Sequence, residues 1–367
     1  MASAFIMMVT RLGSLNALEQ AKGNSFWSRW LGRKLASADT MGRVYSQIVL
    51  ASIRSLIHHI YSRLKRNKAL KKIYGFHVLI IDGHEHTSSY LRCCPSCLQR
   101  IIHSRDKDRI QYYHRNVVAM LAGREFPFLL DVEEQRPGED EVSCALRLSQ
   151  RVLRDYPRAF KVVVVDGLYL RANFFKLFLD HNKDVIAVLK DERRDLLEDA
   201  RGLFQSEKPL LEREGPTKRK MWDIEEFTSW QTLGRTIRVV RSVESTTIQR
   251  QRTGKREEQT SEWIWATTLS QEEADTKTIV NLGHSRWLIE NRALNEMVTY
   301  WYADHVYKHH PNAITAFWLT LMLALNLFRA FVYLNIKPEL RSKHSNLYFA
   351  QLIFSALYEE SLQKIPP

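Results

Sequence analysis

Three acids stand in settings suited to divalent-metal chemistry: Asp82 in HVLIIDGHEH, Asp166 in FKVVVVDGLY and Glu290 in HSRWLIENRALNE. The first two each close a short run of β-branched and apolar residues that reads as a buried strand, whereas Glu290 falls far downstream in a helical pattern. Carboxylate oxygens suit hard Mg²⁺, and a site of few carboxylates leaves coordination positions for phosphate oxygens. Two such ions roughly 4 Å apart activate an attacking oxygen and stabilise a leaving one. Asp-Gly after an apolar run is by itself often only a turn. The informative signal is the pair of strand-end acids combined with the helix.

On that helix, steps of three or four residues place Gly283, Arg286, Glu290, Ala293 and Met297 on one stripe, so Arg286 and Glu290 face the same way. The ordinary reading is an i,i+4 ion pair on a solvated face. Trp287 and Ile289 flank the pair, however, and a guanidinium suits bidentate contact with a phosphate held beside a metal-bound carboxylate. Arg286 and Trp287 are therefore candidate DNA contacts. Glu296, six residues past Glu290, points to a different side of the helix and competes poorly as a third acid.

With IDG at Asp82, VVDGLY around Asp166 and RWLIE from Arg286 to Glu290, the chain resembles the DDE transposases of bacterial insertion sequences, in particular the insertion-sequence-four-like group, over most of residues 75–335. The resemblance implies an α/β, RNase H-like mixed sheet flanked by helices, with a β-rich insertion between the second Asp and the Glu. It also implies that Asp82, Asp166 and Glu290 ligate two Mg²⁺ (or Mn²⁺) ions. Partners would be double-stranded DNA, both the element's terminal inverted repeats and target DNA, bound by a homodimer. The family helix usually carries a Tyr three residues before the Arg and a Lys seven after the Glu; here those positions are Gly283 and Met297.

Composition agrees. The chain has 367 residues and 45% hydrophobic residues, enough for a sizeable core, and its net charge of +13 suits a polyanionic partner. From Met41 the apolar residues Val44, Ile48, Val49, Ile53, Leu56, Ile57, Ile60 and Leu64 recur at helical spacing, with Ser37 and Asp39 as caps. Arg43, Arg54, Arg63, Lys65, Arg66 and Lys68, with His58 and His59, offer phosphate contacts on the other faces, Arg43 and Arg66 foremost. A solvated amphipathic helix packed on the catalytic domain is the alternative. The apolar start MASAFIMMVTRLG lacks the features of a signal peptide. The run FWLTLMLALNLFRAFVYL approaches a membrane span in length, but Asn326 and Arg329 interrupt it, which favours a buried helix over a membrane. A cytoplasmic, nucleoid-associated bacterial location follows from the resemblance.

The pattern predicts strands in RIQYYHRNVVAML and FPFLLDVEE, a helix in EVSCALRLSQRVLRDY, the Asp166 strand, a helix in RANFFKLFLDHN and a strand in DVIAVLK. Between residues 205 and 268 the texture becomes β-rich. There Trp222, Trp230, Trp263 and Trp265 read as core or hairpin packing, while Lys218, Arg219, Lys220 and the basic 250–256 cluster are candidate contacts to the DNA backbone. The expected domains are a helical DNA-binding region over 1–74, a catalytic domain over 75–204 and 269–336 split by the insertion at 205–268, and a helical tail over 337–367 that serves self-association.

Four cysteines without secretory features indicate a reducing compartment. Three crowd into RCCPSCLQR, where Cys94 and Cys97 have half a zinc-knuckle spacing. Structural Zn²⁺ held with His103 and His114 is one reading and a turn with reduced thiols the other. Cys144 reads as core.

The expected function is transposition: metal-dependent endonuclease cleavage at the element's ends, then attack of the freed 3′-hydroxyl on target DNA. One alternative is a catalytically inactive, DNA-binding relic of a transposase. A second is a zinc-dependent amidohydrolase-like barrel, suggested by His84 and His86 after Asp82, although the later strand-end ligands of that fold are missing.

Overall fold

The computed structural model describes residues 1–362 apart from 24, 33, 105, 106, 191, 192 and 251–253. The chain is mixed α/β and groups into two compact units, Met1–Lys71 with Asp82–Tyr156 and Ile289–Pro367, and Lys72–Ile81 with Pro157–Leu288.

In the first unit, β1 (Val78–Ser89), which enters it at Asp82, lies beside β3 (Arg109–Ala122). On β3 pair β2 (Leu98–Ile102) and β4 (Phe128–Glu134), both antiparallel, with a register shift at Ala119/Met120. Two expectations change here. β1 continues through Asp82 to Ser89, so the acid sits within a strand and not at its end. The polar stretch after Asp82 reads as a turn by hydropathy, but a strand needs only a backbone partner, and β3 supplies it. β2 was not foreseen, because LQRII is short and mostly exposed.

Helix Glu141–Asp155 packs on β3 and β4 and is capped by Asp140, whose carboxylate accepts the Ser143 N–H at 2.8 Å. Helix Pro311–Asn335 packs on β4 and on helices Ala2–Val9, Ala38–Gln47 and Leu50–Arg66. It is long and apolar enough to cross a membrane, yet most of it is buried within this unit. Its two polar interruptions both have partners within this unit. Asn326 accepts the Leu129 N–H at 2.9 Å and donates to the Leu129 carbonyl at 2.7 Å, and Arg329 pairs with Glu296 at 2.9 Å.

The N-terminal periodicity forms two helices, because the chain is extended at Ile48 and Val49. Asn312 donates to the carbonyls of Tyr45 and Ile48 across this break. The break resets the helical phase. Met41, Tyr45, Ile53, Ile57, Tyr61 and Leu64 are buried, whereas Val44, Val49 and Leu56, expected on the apolar face, are exposed. Ser37 caps the first of these helices by accepting from the Thr40 N–H.

In the second unit, β5 (Val162–Val165) is four buried valines, and both its neighbours are parallel: the start of β1 on one side and β6 (Asp184–Val188) on the other. A strand covered on both faces reads as a continuous apolar run. Antiparallel to β6 runs β10 (Arg256–Thr267), reached through β7 (Leu210–Glu214), β8 (Thr217–Phe227) and β9 (Ile237–Gln249), which pair in sequence order. The β-rich stretch is thus hydrogen-bonded through β10 into the same sheet. Trp230 and Trp265 are buried, as expected of packing residues; Trp222 lies under the Arg241 guanidinium, 4.5 Å from ring centre. These antiparallel pairs are incompatible with an eight-fold strand-helix barrel.

Candidate active site

Asp166 follows the last valine of β5, so strand burial fixes its backbone while its side chain stays half-buried. Lys190, just past the end of the neighbouring parallel β6, places Nζ 3.1 Å from Asp166 Oδ1. Burial pushes the Asp166 pKa up, but the Gly167 N–H bond, the Lys190 ammonium and the more distant Arg286 outweigh it and hold the carboxyl below the usual range. Gly167 makes room for this contact: a Cβ there would lie 3.1 Å from both Lys190 Cδ and the Val188 carbonyl oxygen.

Arg286 occupies a turn after helix Thr276–His284. Only 7% exposed, its guanidinium stacks 4.2 Å from the centre of the Trp287 ring, which is itself partly exposed. The continuous helix expected here is interrupted at Ser285–Arg286. A short helix, Trp287–Ile289, follows, then a π-helical turn at Glu290–Leu294 and helix Asn295–Trp301. Of the stripe's residues, Gly283, Arg286, Ala293 and Met297 are buried and Glu290 is half-buried. π turns of this kind occur often at functional sites.

Asp82 is half-buried in β1, and its Oδ1 accepts the Gly83 N–H at 3.0 Å. Against Gly83 sits the Glu141 carboxylate, which a Cβ on Gly83 would meet at 2.4–2.6 Å; Glu141 pairs with Arg115 at 3.0 Å. Glu141 and Lys190 are neighbours of the predicted acids that sequence reasoning missed. For Lys190 a signal existed, since it follows a strand whose parallel pairing with β5 was foreseeable; for Glu141 none did.

The transposase DDE domain family matches residues 78–327, a span that begins four residues before Asp82 and takes in Asp166 and Glu290. The chain belongs to that family. A search of the curated proteins gave no match.

The chain's candidate DNA contacts fall into two groups. Lys218 and Lys220 are exposed on β8, and Arg43 and Arg66 are exposed on their helices. Arg219 instead turns to Glu214 at 2.6 Å and to Glu212 and Glu244, both at 3.5 Å, so its charge is spent within the sheet. Arg54 likewise bonds Asp131 at 2.8 Å. Of the 250–256 cluster, Arg250 pairs with Glu257 at 2.8 Å, while 251–253 lie outside the described residues.

The cysteine motif gathers a different donor set. Cys94 and Cys97 Sγ lie 3.7 Å apart, and His114 Nε2 lies 3.4 and 3.3 Å from them. His103, expected as the fourth ligand, is not among them: it is largely exposed, and its Nδ1 lies 3.0 Å from Asp108. The reason is the β2–β3 register. Leu98 pairs with Tyr113 and Ile102 with Arg109, which carries Cys97 opposite His114 and His103 opposite Asp108. Cys144 is buried, as expected.

Proposed function

We propose that this DDE-family chain cuts DNA at the ends of a mobile element and joins them to target DNA, with Asp82, Asp166 and Glu290 holding divalent Mg²⁺ or Mn²⁺. The observation that carries this reading is Asp166, a half-buried carboxylate kept ionised by Gly167 N–H, Lys190 and Arg286 within the matched region. An all-carboxylate donor set fits hard cations. When bound, two such ions supply activation of the attacking oxygen and stabilisation of the leaving one.

The chain's own residues do the rest. The Gly167 N–H and Lys190 hold the Asp166 carboxyl below its usual range, Lys190 orients it, and the Gly83 N–H fixes one oxygen of Asp82. Arg286, stiffened by stacking on Trp287, clamps a phosphate beside the acids. Exposed Lys218, Lys220, Arg43 and Arg66 attract the DNA backbone, and two copies act on paired ends.

The test is nicking of DNA carrying the element's terminal repeats, with Mg²⁺ or Mn²⁺, by the wild-type protein beside Asp82→Asn, Asp166→Asn and Glu290→Gln. Cutting by the wild type alone is expected. Equal binding by all four proteins with no cutting by any would instead identify an end-binding relic.

A further inference from the structure

We propose that Cys94, Cys97 and His114 bind one zinc ion, which ties the β1–β2 connection to β3. The three donor atoms form a triangle with edges of 3.7, 3.4 and 3.3 Å. A tetrahedral centre with Zn–S of about 2.3 Å and Zn–N of about 2.0–2.1 Å demands S···S of about 3.8 Å and S···N of about 3.6 Å. The observed edges lie within a few tenths of an ångström of those values. They also exclude a Cys94–Cys97 disulfide in this conformation, since a disulfide holds its sulfurs about 2.05 Å apart.

The backbone around the thiols is arranged as metal-binding turns require. Cys94-Pro-Ser-Cys97 closes with the Cys97 N–H on the Cys94 carbonyl at 3.1 Å, and the N–H groups of Ser96 and Cys97 also point to the Cys94 sulfur. The Cys94 N–H in turn reaches Cys97 Sγ at 3.1 Å. A zinc-bound thiolate would accept the hydrogen bonds that these backbone donors offer. Binding displaces the thiol protons to solvent.

His114 has the orientation of a ligand. Its Nε2 faces the sulfurs, while Nδ1 lies 3.9 Å from Glu134 Oε2, too far for a hydrogen bond but close enough for the carboxylate's charge to act on the ring. Glu134 is itself positioned by His86 Nε2 at 3.3 Å, and both imidazoles are nearly fully buried. Three protein ligands leave a fourth tetrahedral position for solvent.

The experiment titrates Co²⁺ and then Zn²⁺ into the reduced, metal-stripped full chain, following thiolate-to-cobalt absorption and bound metal per chain. About one thiolate-bound equivalent per chain is expected, with the absorption of a tetrahedral thiolate site, apart from any ions taken up by the carboxylates. Cys94→Ser and His114→Ala should abolish that absorption, and Cys93→Ser, which changes an exposed neighbour outside the triangle, should leave it intact. Glu134→Gln should weaken Zn²⁺ roughly 10-fold while keeping the absorption, because the carboxylate's charge no longer acts on the His114 ring. Circular dichroism of each variant establishes that it folds. Folded wild-type protein that develops no thiolate-to-cobalt absorption, or a Cys93→Ser loss equal to that of Cys94→Ser, would overturn the proposal. Neither result bears on nicking at the acids.

Discussion

Lys190 Nζ and Asp166 Oδ1 lie 3.1 Å apart, joining the ends of two parallel strands through one ion pair. Lys190 lowers the carboxyl pKa together with the Gly167 N–H and Arg286, against the upward push of burial. A carboxyl whose folded pKa lies below its unfolded value adds stability above the unfolded pKa, and that stability is lost as pH falls through the folded one. Lys190→Met raises the folded pKa. The variant should therefore be less stable than wild type at neutral pH, by roughly 0.2–1 kcal/mol for so exposed a lysine. The deficit should vanish once pH falls below the depressed wild-type value. Urea unfolding across that range decides it; a deficit independent of pH would show that Lys190 acts through packing alone.

Gly283, where the resemblance implies tyrosine, lies against Trp265, which leaves no room for a side chain. A Cβ on Gly283 would lie 2.4 Å from both Cε2 and Nε1 of an indole that is 1% exposed. The ring has no room to retreat. Gly283→Ala should destabilise by about 1–3 kcal/mol, the usual cost of overpacking a core, and Trp265→Leu should recover part of that loss. An alanine variant with the wild-type unfolding midpoint would contradict the contact.

Asn326 looks like a flaw in an apolar helix, and Asn326→Leu looks like an improvement. It should instead cost about 2–4 kcal/mol, because the Leu129 N–H and carbonyl both lose their buried partner. Chemical denaturation reads the difference. Unchanged or increased stability would mean that β4 finds another partner.

Lys218 and Lys220 flank Arg219, yet the three should behave differently on DNA. If the exposed pair contacts phosphate, Lys218→Ala with Lys220→Ala should reduce the slope of log K against log salt by about 1.8. Arg219→Ala should leave that slope unchanged and lower stability, since it removes the partner of Glu212, Glu214 and Glu244. Equal slope changes for lysines and arginine would undo the distinction.

What the sequence determined by itself is the part governed by local repetition. Four consecutive valines before Asp166 can only be buried strand, and the amphipathic period of Glu141–Asp155 and the alternation across the tryptophan-rich stretch are equally local. The resemblance carried by IDG, VVDGLY and RWLIE was legible for the same reason, and the family match spans those segments. Tertiary structure alone decided partnerships. Pairing with β3 extends β1 beyond Asp82, and burial against Trp265 leaves no space at Gly283. The β2–β3 register gives Cys97 the imidazole of His114 and hands His103 to Asp108. Spacing along a chain constrains neighbours within one element. Which distant side chain completes a donor set depends on strand register, and a shift of one residue changes every pair.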